Sequence, residues 1–132
     1  MSFRDRMRVD PSNAEIQVSA ELQRQKMYGL ERDWVLVLED DQVTPKRKEQ
    51  VLIKDLEGHM FTLPDWFSKD MKAIYLDGPV HLKPRREAHD AFINMWLTER
   101  GCDVLRIPYN GRRLSYEGLR SVVGLIREFM QK

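Results

Sequence analysis

Asp65 and Asp77 are the residues whose types and spacing most directly invite chemistry. A turn near residues 70 to 71 folds the segment between them into an antiparallel hairpin, with Asp65 opposite Tyr75 or Asp77. Side chains alternate along a strand, so Tyr75 and Asp77 share one face while Ile74 and Leu76 point to the other. In that register both carboxylates project from one face of neighbouring strands. Carboxylates so close repel unless a cation lies between them. Magnesium, which takes one or two carboxylates together with water and phosphate oxygens, suits the arrangement. His81 and Asp90 follow, off the strand end and from the first turns of the next helix. A divalent ion at Asp65 and Asp77 would acidify a coordinated water and neutralise charge on a phosphodiester. His81 would act as general base or help to activate that water. Lys83, Arg85, Arg86 and the arginines of the N-terminal arm (Arg4, Arg6 and Arg8) would hold flanking phosphates. The chemistry is phosphodiester hydrolysis; no Gly-x-Ser-x-Gly sequence for acyl transfer occurs.

Each of these residues also has a plainer role open to it. Asp65 after Pro64, and Asp77 before Gly78-Pro79, have ordinary turn composition. Glu15 can simply close a capping box, Asp90 can be a solvated residue near a helix N-terminus, and His81 can be structural. Cys102 reads as a core residue rather than a reactive thiol.

The chain of 132 residues has the size of one domain, 1–132, and its 42% hydrophobic content supplies one core. With 22 basic against 21 acidic residues, net charge does not announce a nucleic-acid binder. The distribution says more. Basic residues cluster at Arg4, Arg6 and Arg8, at 46–48, at Lys83, Arg85 and Arg86, and at Arg112 and Arg113, although any one cluster can be a solvated loop. A single cysteine excludes an intrachain disulfide and a cysteine-cluster zinc site, and the three histidines lack zinc-finger spacing. Without a run of signal-peptide or membrane-span length, a soluble, cytoplasmic protein is expected.

The elements that must position these groups can be read in order. Residues 1–11 form a loose, charged arm. Ser12 to Glu15 has the form of a capping box and predicts a helix from about Asn13 to Met27, with Ile16, Ala20 and Met27 on one face, Val18 and Leu22 near it, and Gly29 as its stop. Trp34 to Leu38 predicts a strand. Pro45 to Leu56 is ambiguous, since Thr44-Pro45 could open a helix; Gln50 to Leu56 is read as a strand turning at Glu57-Gly58 into His59 to Phe67. Lys72 to Asp77 is the clearest strand. Arg85 to Arg100 predicts a helix with Ala88, Phe92, Met95 and Trp96 on one face and Gly101 as its cap. Asp103 to Tyr109 predicts a strand whose Pro108 points to a sheet edge. Ser115 then caps a last helix carrying Leu119, Val122, Val123, Ile126 and Met130. This order gives an α/β sandwich with a mixed sheet carrying helices on its faces. The crossover from Ala73–Asp77 through the helix to Val104–Tyr109 makes those strands parallel.

Several segments, in order and spacing, resemble one family. They are Leu-Pro-Asp-Trp-Phe (63–67), Ala-Ile-Tyr-Leu-Asp-Gly-Pro-Val-His (73–81), Asp90, Leu97 with Gly101, and Asp-Val-Leu-Arg-Ile (103–107). Together they resemble the very-short-patch-repair-like endonucleases of the PD-(D/E)xK restriction-endonuclease superfamily. The resemblance covers about half the chain. It implies a restriction-endonuclease-like three-layer sandwich, a central mixed β-sheet flanked by helices, and cleavage of DNA with Mg2+, for which Mn2+ would substitute. It places a metal-binding aspartate at Asp65, an acidic or histidine position at Asp77, a histidine at His81 and an acidic helix residue at Asp90. Glu15 falls where the family often has a glutamate on its first helix, and a homing-nuclease branch uses glutamate, aspartate, histidine and aspartate in the order Glu15, Asp65, His81, Asp90. Arg106, in the last matching segment, joins Lys83, Arg85 and Arg86 as a candidate DNA contact. The chain also departs from the pattern. Tyr75 stands where a glutamate is usual, and no lysine follows at the restriction-enzyme position. Tyrosine, with a pKa near 10, cannot replace a carboxylate ligand at neutral pH. Cleavage therefore depends on the histidine-containing variant of the site or has been lost, leaving a nuclease-like module that binds nucleic acid or protein. The zinc motif of the mismatch nickases is absent, which disfavours mismatch repair. Leu30 to Lys54 matches no family pattern. So small a core expects target specificity from a homodimer, a separate partner or the DNA's own structure.

Overall fold

Ser12 caps the first helix as its sequence predicts. In extended backbone it accepts a hydrogen bond from the Glu15 N–H at 3.1 Å, and α1 runs Asn13–Arg24. The structure, a computed structural model, describes residues 12–78 and 84–132; the expected N-terminal arm lies outside them. The helix closes earlier than Gly29. Lys26 enters the left-handed region (φ +61°) and Met27 N–H bonds back to the Leu22 carbonyl at 3.0 Å. Its buried row is Ala14, Val18 and Leu22, whereas Ile16 is 53% exposed and Ala20 is also exposed. Polar anchors on either side set this rotation. Gln17 exchanges two hydrogen bonds with the Leu114 backbone, and Arg32 bonds both Glu15 and Ser19.

The Trp34 strand is present as β1, Trp34–Glu39, and it gains a neighbour that the sequence did not predict as a strand. Asp40 and Asp41 both take positive φ (51° and 59°), as a tight hairpin turn requires. They return the chain as β2, Gln42–Arg47. Pro45 lies within this strand although it has no N–H to give. It is tolerated because β2 lies at the outside of its sheet. The expected strand Gln50–Leu56 is instead two 3-10 turns, Lys48–Gln50 and Ile53–Leu56. Val51 and Leu56 use them to cover Val35 and Val37 on one face of β1.

The run His59–Phe67 is also divided. Pro64, too, has no N–H for a ladder, and the chain breaks there into β3 (Met60–Thr62), paired with β1, and β4 (Trp66–Ser68), paired with β5 (Lys72–Asp77). The expected single central sheet is therefore two three-stranded sheets. One is antiparallel, in the order β2-β1-β3; the other is mixed, β4-β5-β6. A bridge between Glu31 and Phe67, with two 2.8 Å backbone hydrogen bonds, ties them together. The crossover is as predicted. α2 (Pro84–Glu99) leads to β6 (Asp103–Pro108), parallel to β5 with Ala73 beside Val104. Gly101 ends α2 at φ +86°. Its inward residues are Ile93 and Leu97, with Trp96 beside them. Phe92 and Met95, expected inside, are 43% and 52% exposed, and Ala88 is exposed.

Helices cover both faces of the mixed sheet. α1 and the last helix, α3 (Tyr116–Met130), pack with Trp66, Ile74, Leu76 and Ile107. On the other face Phe67, Ala73 and Tyr75 pack with α2 and with Leu36 and Leu38 of β1. Among the described residues the fold is thus α/β, with two small sheets and three α-helices, and no helix there is long and apolar enough to cross a membrane.

Lys72 fastens the end of α3 to the sheet. It is 4% exposed, and its Nζ donates to the carbonyls of Phe129 (3.0 Å), Met130 (3.3 Å) and Lys132 (3.0 Å). A cation among the unpaired carbonyls at a helix C-terminus satisfies both the donors and the helix dipole. Lys72→Met leaves those carbonyls without the charged donor and is expected to cost roughly 2–3 kcal/mol in urea unfolding. Lys69→Met, on the exposed turn, is expected to change stability by less than about 0.5 kcal/mol.

Candidate active site

The break at Pro64 that ends β3 also delivers Asp65. Its N–H donates to the Ile74 carbonyl at 2.9 Å, fixing the residue at the head of β4 and opposite Tyr75 in the register of Trp66 with Ile74. Its carboxylate accepts a 2.7 Å hydrogen bond from the Leu76 N–H. Side chain to side chain, it meets Glu15 of α1 within hydrogen-bonding reach. Two carboxyl groups can share a hydrogen bond only with a proton between them. Accordingly, burial and the negative charge of Glu15 push the Asp65 carboxyl up to about 7, against the opposing pull of the Leu76 N–H and of Arg32.

Arg32 is the counter-charge of this pair. Its Nη2 donates to Glu15 Oε2 at 2.7 Å and its Nη1 to Ser19 Oγ at 2.9 Å, while its guanidinium lies 5.2 Å from the centre of the Trp66 ring. The capping box is therefore only half made. Ser12 caps the helix, but the Glu15 side chain is committed to Arg32 and Asp65.

Asp77 is surrounded by a different set of side chains. Alternation along β5 carries it to the α2 side with Tyr75, and there Arg106 of β6 donates to both its oxygens at 3.2 and 3.4 Å. The same guanidinium bonds Asn94 Oδ1 at 2.6 Å, stands 3.6 Å from Asp90 Oδ2, and lies 4.0 Å from the centre of the Tyr75 ring. Arg86 approaches Asp90 at 4.0 Å. Tyr75 lies between the two groups. Its hydroxyl pairs with Thr62 Oγ1 at 2.7 Å, and burial, reinforced by Asp65, holds its pKa above the usual phenol value, so it stays protonated. Thr62, Tyr75, Arg86, His89, Asp90 and Arg106 border a cleft of about 340 Å3.

Of the residues singled out by sequence, Glu15 thus comes together with Asp65, and Asp77 with Asp90 through Arg106. The metal pair expected at Asp65 and Asp77 is met instead by Asp65 beside Glu15 and Asp77 beside a cation. His81 and Lys83 lie outside the described residues. Arg85 is exposed on the first turn of α2. Arg106, expected on phosphate, is tied to Asp77 and Asn94. Cys102 is fully buried and burial pushes its thiol up to about 12, as befits a core residue. The Lys46 and Arg47 cluster is taken up by Glu39, Glu31 and Glu49.

Sequence reasoning missed Arg32, Thr62 and Asn94. Arg32 comes from the stretch that matches no family pattern, and no local spacing marks it. Asn94 lies four residues beyond Asp90 on α2, a spacing that puts the two on one helix face. As for donors, two carboxylates are a set that magnesium accepts, its other positions being filled by water and phosphate oxygens. Among the described residues no group of three or more metal-ligating side chains gathers. Compared with models of protein families, with curated proteins and with solved structures, the chain finds no match.

Because the folded protein holds the Asp65 proton more tightly than the unfolded chain, the associated stability is complete below about pH 4 and is lost as pH rises through about 7. Asp65→Asn keeps an acceptor for Leu76 and removes the repulsion. In metal-free buffer it is expected to raise the melting temperature at pH 8 by roughly 4 °C, equivalent to about 1 kcal/mol in a domain of this size, and by less at pH 5. An equal effect at the two pH values would contradict the assignment.

Proposed function

We propose that this protein is a DNA endonuclease of the restriction-endonuclease-like kind that hydrolyses phosphodiester bonds with Mg2+, or Mn2+ in its place. The observation that carries the reading is the meeting of Glu15 and Asp65. They are distant in the chain and brought by a helix and a strand head into one partly enclosed place, where their mutual repulsion calls for a cation. The family resemblance puts both residues, with His81 and Asp90, in one catalytic set. The mixed sheet between helical layers fits the three-layer sandwich that goes with it.

In this reading Glu15 and Asp65 hold the metal, which supplies an activated water and charge neutralisation when bound. The chain's own groups do the rest. Leu76 N–H fixes one Asp65 oxygen. Arg32 balances the charge of Glu15 and gives way when a metal takes its place. Arg106 bonds Asp77 and stands beside Asp90 at the edge of the cleft, and Tyr75 stays a neutral group paired with Thr62. Arg85, Arg86 and Lys83 serve flanking phosphates, and His81 is the base of the histidine-containing variant. DNA as substrate goes with a cytoplasmic protein, and one catalytic core per chain leaves cutting of a second strand to a second copy or a separate partner.

A second reading has its own support. Arg32 on Glu15 and Arg106 on Asp77 already balance the acidic groups, as in a nuclease-like module that binds without cutting. Supercoiled plasmid with Mg2+ or Mn2+ separates the two. Nicking by the wild-type protein, reduced more than about 100-fold in Asp65→Ala and in Glu15→Gln with the fold intact by circular dichroism, is expected. That loss is at least as large as loss of a group supporting a metal ligand brings. Binding without nicking in either metal supports the second reading, and neither binding nor nicking rejects both.

A further inference from the structure

On the side of α1 away from Glu15, a groove of about 700 Å3 runs between α1 and α3. Nine residues separate Glu15 from Arg24, about two and a half helical turns, which sets them on opposite faces of α1. The groove's basic groups are Arg24, Arg120 and Arg127, and its one acidic group is Glu21. The charges are unequally presented. Glu21 is 19% exposed and turned onto Arg24 and Gln25, while Arg24 is 72% exposed. Among the described residues Arg120 and Arg127 make no ion pair within 4 Å. The opening therefore offers guanidinium groups to solvent and keeps its carboxylate inside. At one end Tyr116 is 74% exposed, with the Arg120 guanidinium 5.7 Å from its ring centre. Tyr116, Arg120 and Arg127 fall at positions i, i+4 and i+11, on one stripe of α3 about 16 Å long.

Gly124 is the second, independent observation. Glycine inside a helix weakens it and needs a reason. The other helical glycine, Gly118, has one, since a Cβ there would come within 3.2 Å of the Ser115 hydroxyl that caps the helix. At Gly124 an added Cβ would meet nothing within 4 Å, and the backbone is not in the left-handed region. No neighbour in the fold needs the space. It lies open on the groove wall.

We infer that the α1–α3 groove binds a segment of single-stranded nucleic acid, with phosphates on Arg120, Arg127 and Arg24, a base stacked on Tyr116, and the chain passing over Gly124. An exposed aromatic ring beside guanidinium groups is the pattern by which proteins hold unpaired strands without regard to sequence. An acidic peptide would satisfy the charges but would leave the ring and the cleared space without use. The inference extends the DNA reading to a second surface and does not depend on cleavage.

The test is fluorescence anisotropy with a labelled 15-nucleotide single strand in EDTA, across 50–200 mM salt. Arg120→Ala with Arg127→Ala is expected to flatten the slope of log K against log salt by about 1.4, at about 0.7 for each phosphate no longer neutralised. Tyr116→Ala is expected to weaken binding about tenfold, as for one base left unstacked. Gly124→Leu is expected to weaken it at least about tenfold with a melting temperature equal to or above wild type, which separates blocking from unfolding. Unchanged affinity and slope in these variants, or tighter binding of a polyglutamate peptide than of the oligonucleotide, overturns the inference. Plasmid nicking that persists in such a case leaves the nuclease reading standing. Groove-dependent binding by a protein that never nicks leaves the groove standing and removes the nuclease.

Discussion

Two carboxyl groups, one from a helix and one from the head of a strand, meet in a partly enclosed space, and their repulsion is the constraint around which the candidate site is arranged. A protein selected for stability alone would place an apolar pair or an ion pair between α1 and β4. Here the Leu76 N–H and the Arg32 guanidinium only partly offset the cost, and Asp65 keeps its proton to near neutrality. Such a conflict persists where the surrounding packing holds it in place. Trp66 and Ile74 below it, and Val18 and Leu22 on α1, belong to the best-buried part of the molecule. Perturbed carboxyls of this kind are enriched at functional sites, because a site prepared for a cation is strained without one.

The rest of the architecture can be read from that point outward. Pro64 ends one strand and begins another, which turns the chain from the antiparallel sheet into the mixed one and leaves Asp65 at the corner. The parallel pairing of β5 with β6 brings Arg106 beside Asp77, and the crossover helix between them adds Asp90 and Asn94. Two acidic centres result, with the Tyr75 hydroxyl on Thr62 and its ring beneath the arginine of the second. One centre has a cation on only one of its carboxylates. In the other, the Arg106 guanidinium lies between two carboxylates and Arg86 approaches one of them, Asp90.

Much of this was legible in the residues. Ser12, Ser115 and Gly101 marked helix ends correctly because capping is local chemistry. The parallel β5–β6 pair followed from chain connectivity. The family pattern put Glu15 and Asp65 in one catalytic set, but their meeting as a pair was not foreseen, since no spacing argument joins a helix N-terminus to a strand fifty residues away. What could not be read depended on tertiary choices. Pro45 sits in a strand because that strand is an edge. The Gln50–Leu56 run resembles a strand, but its apolar residues plug the back of β1. The rotation of α1 and α2 is set by Gln17, Arg32 and the packing of Ile93 and Leu97 rather than by the widest apolar stripe. Arg32 itself, the residue that balances the site, gave no signal at all.

The nuclease proposal stands or falls on whether a divalent ion enters between Glu15 and Asp65. The most direct measurement is a crystal of the protein soaked in Mn2+, with data collected at the manganese absorption edge. An anomalous peak within coordination distance of both carboxylates, about 2.0–2.3 Å, with Arg32 displaced from Glu15, is the predicted result. No peak at the pair, with Arg32 still closed on Glu15 at saturating metal, would contradict it.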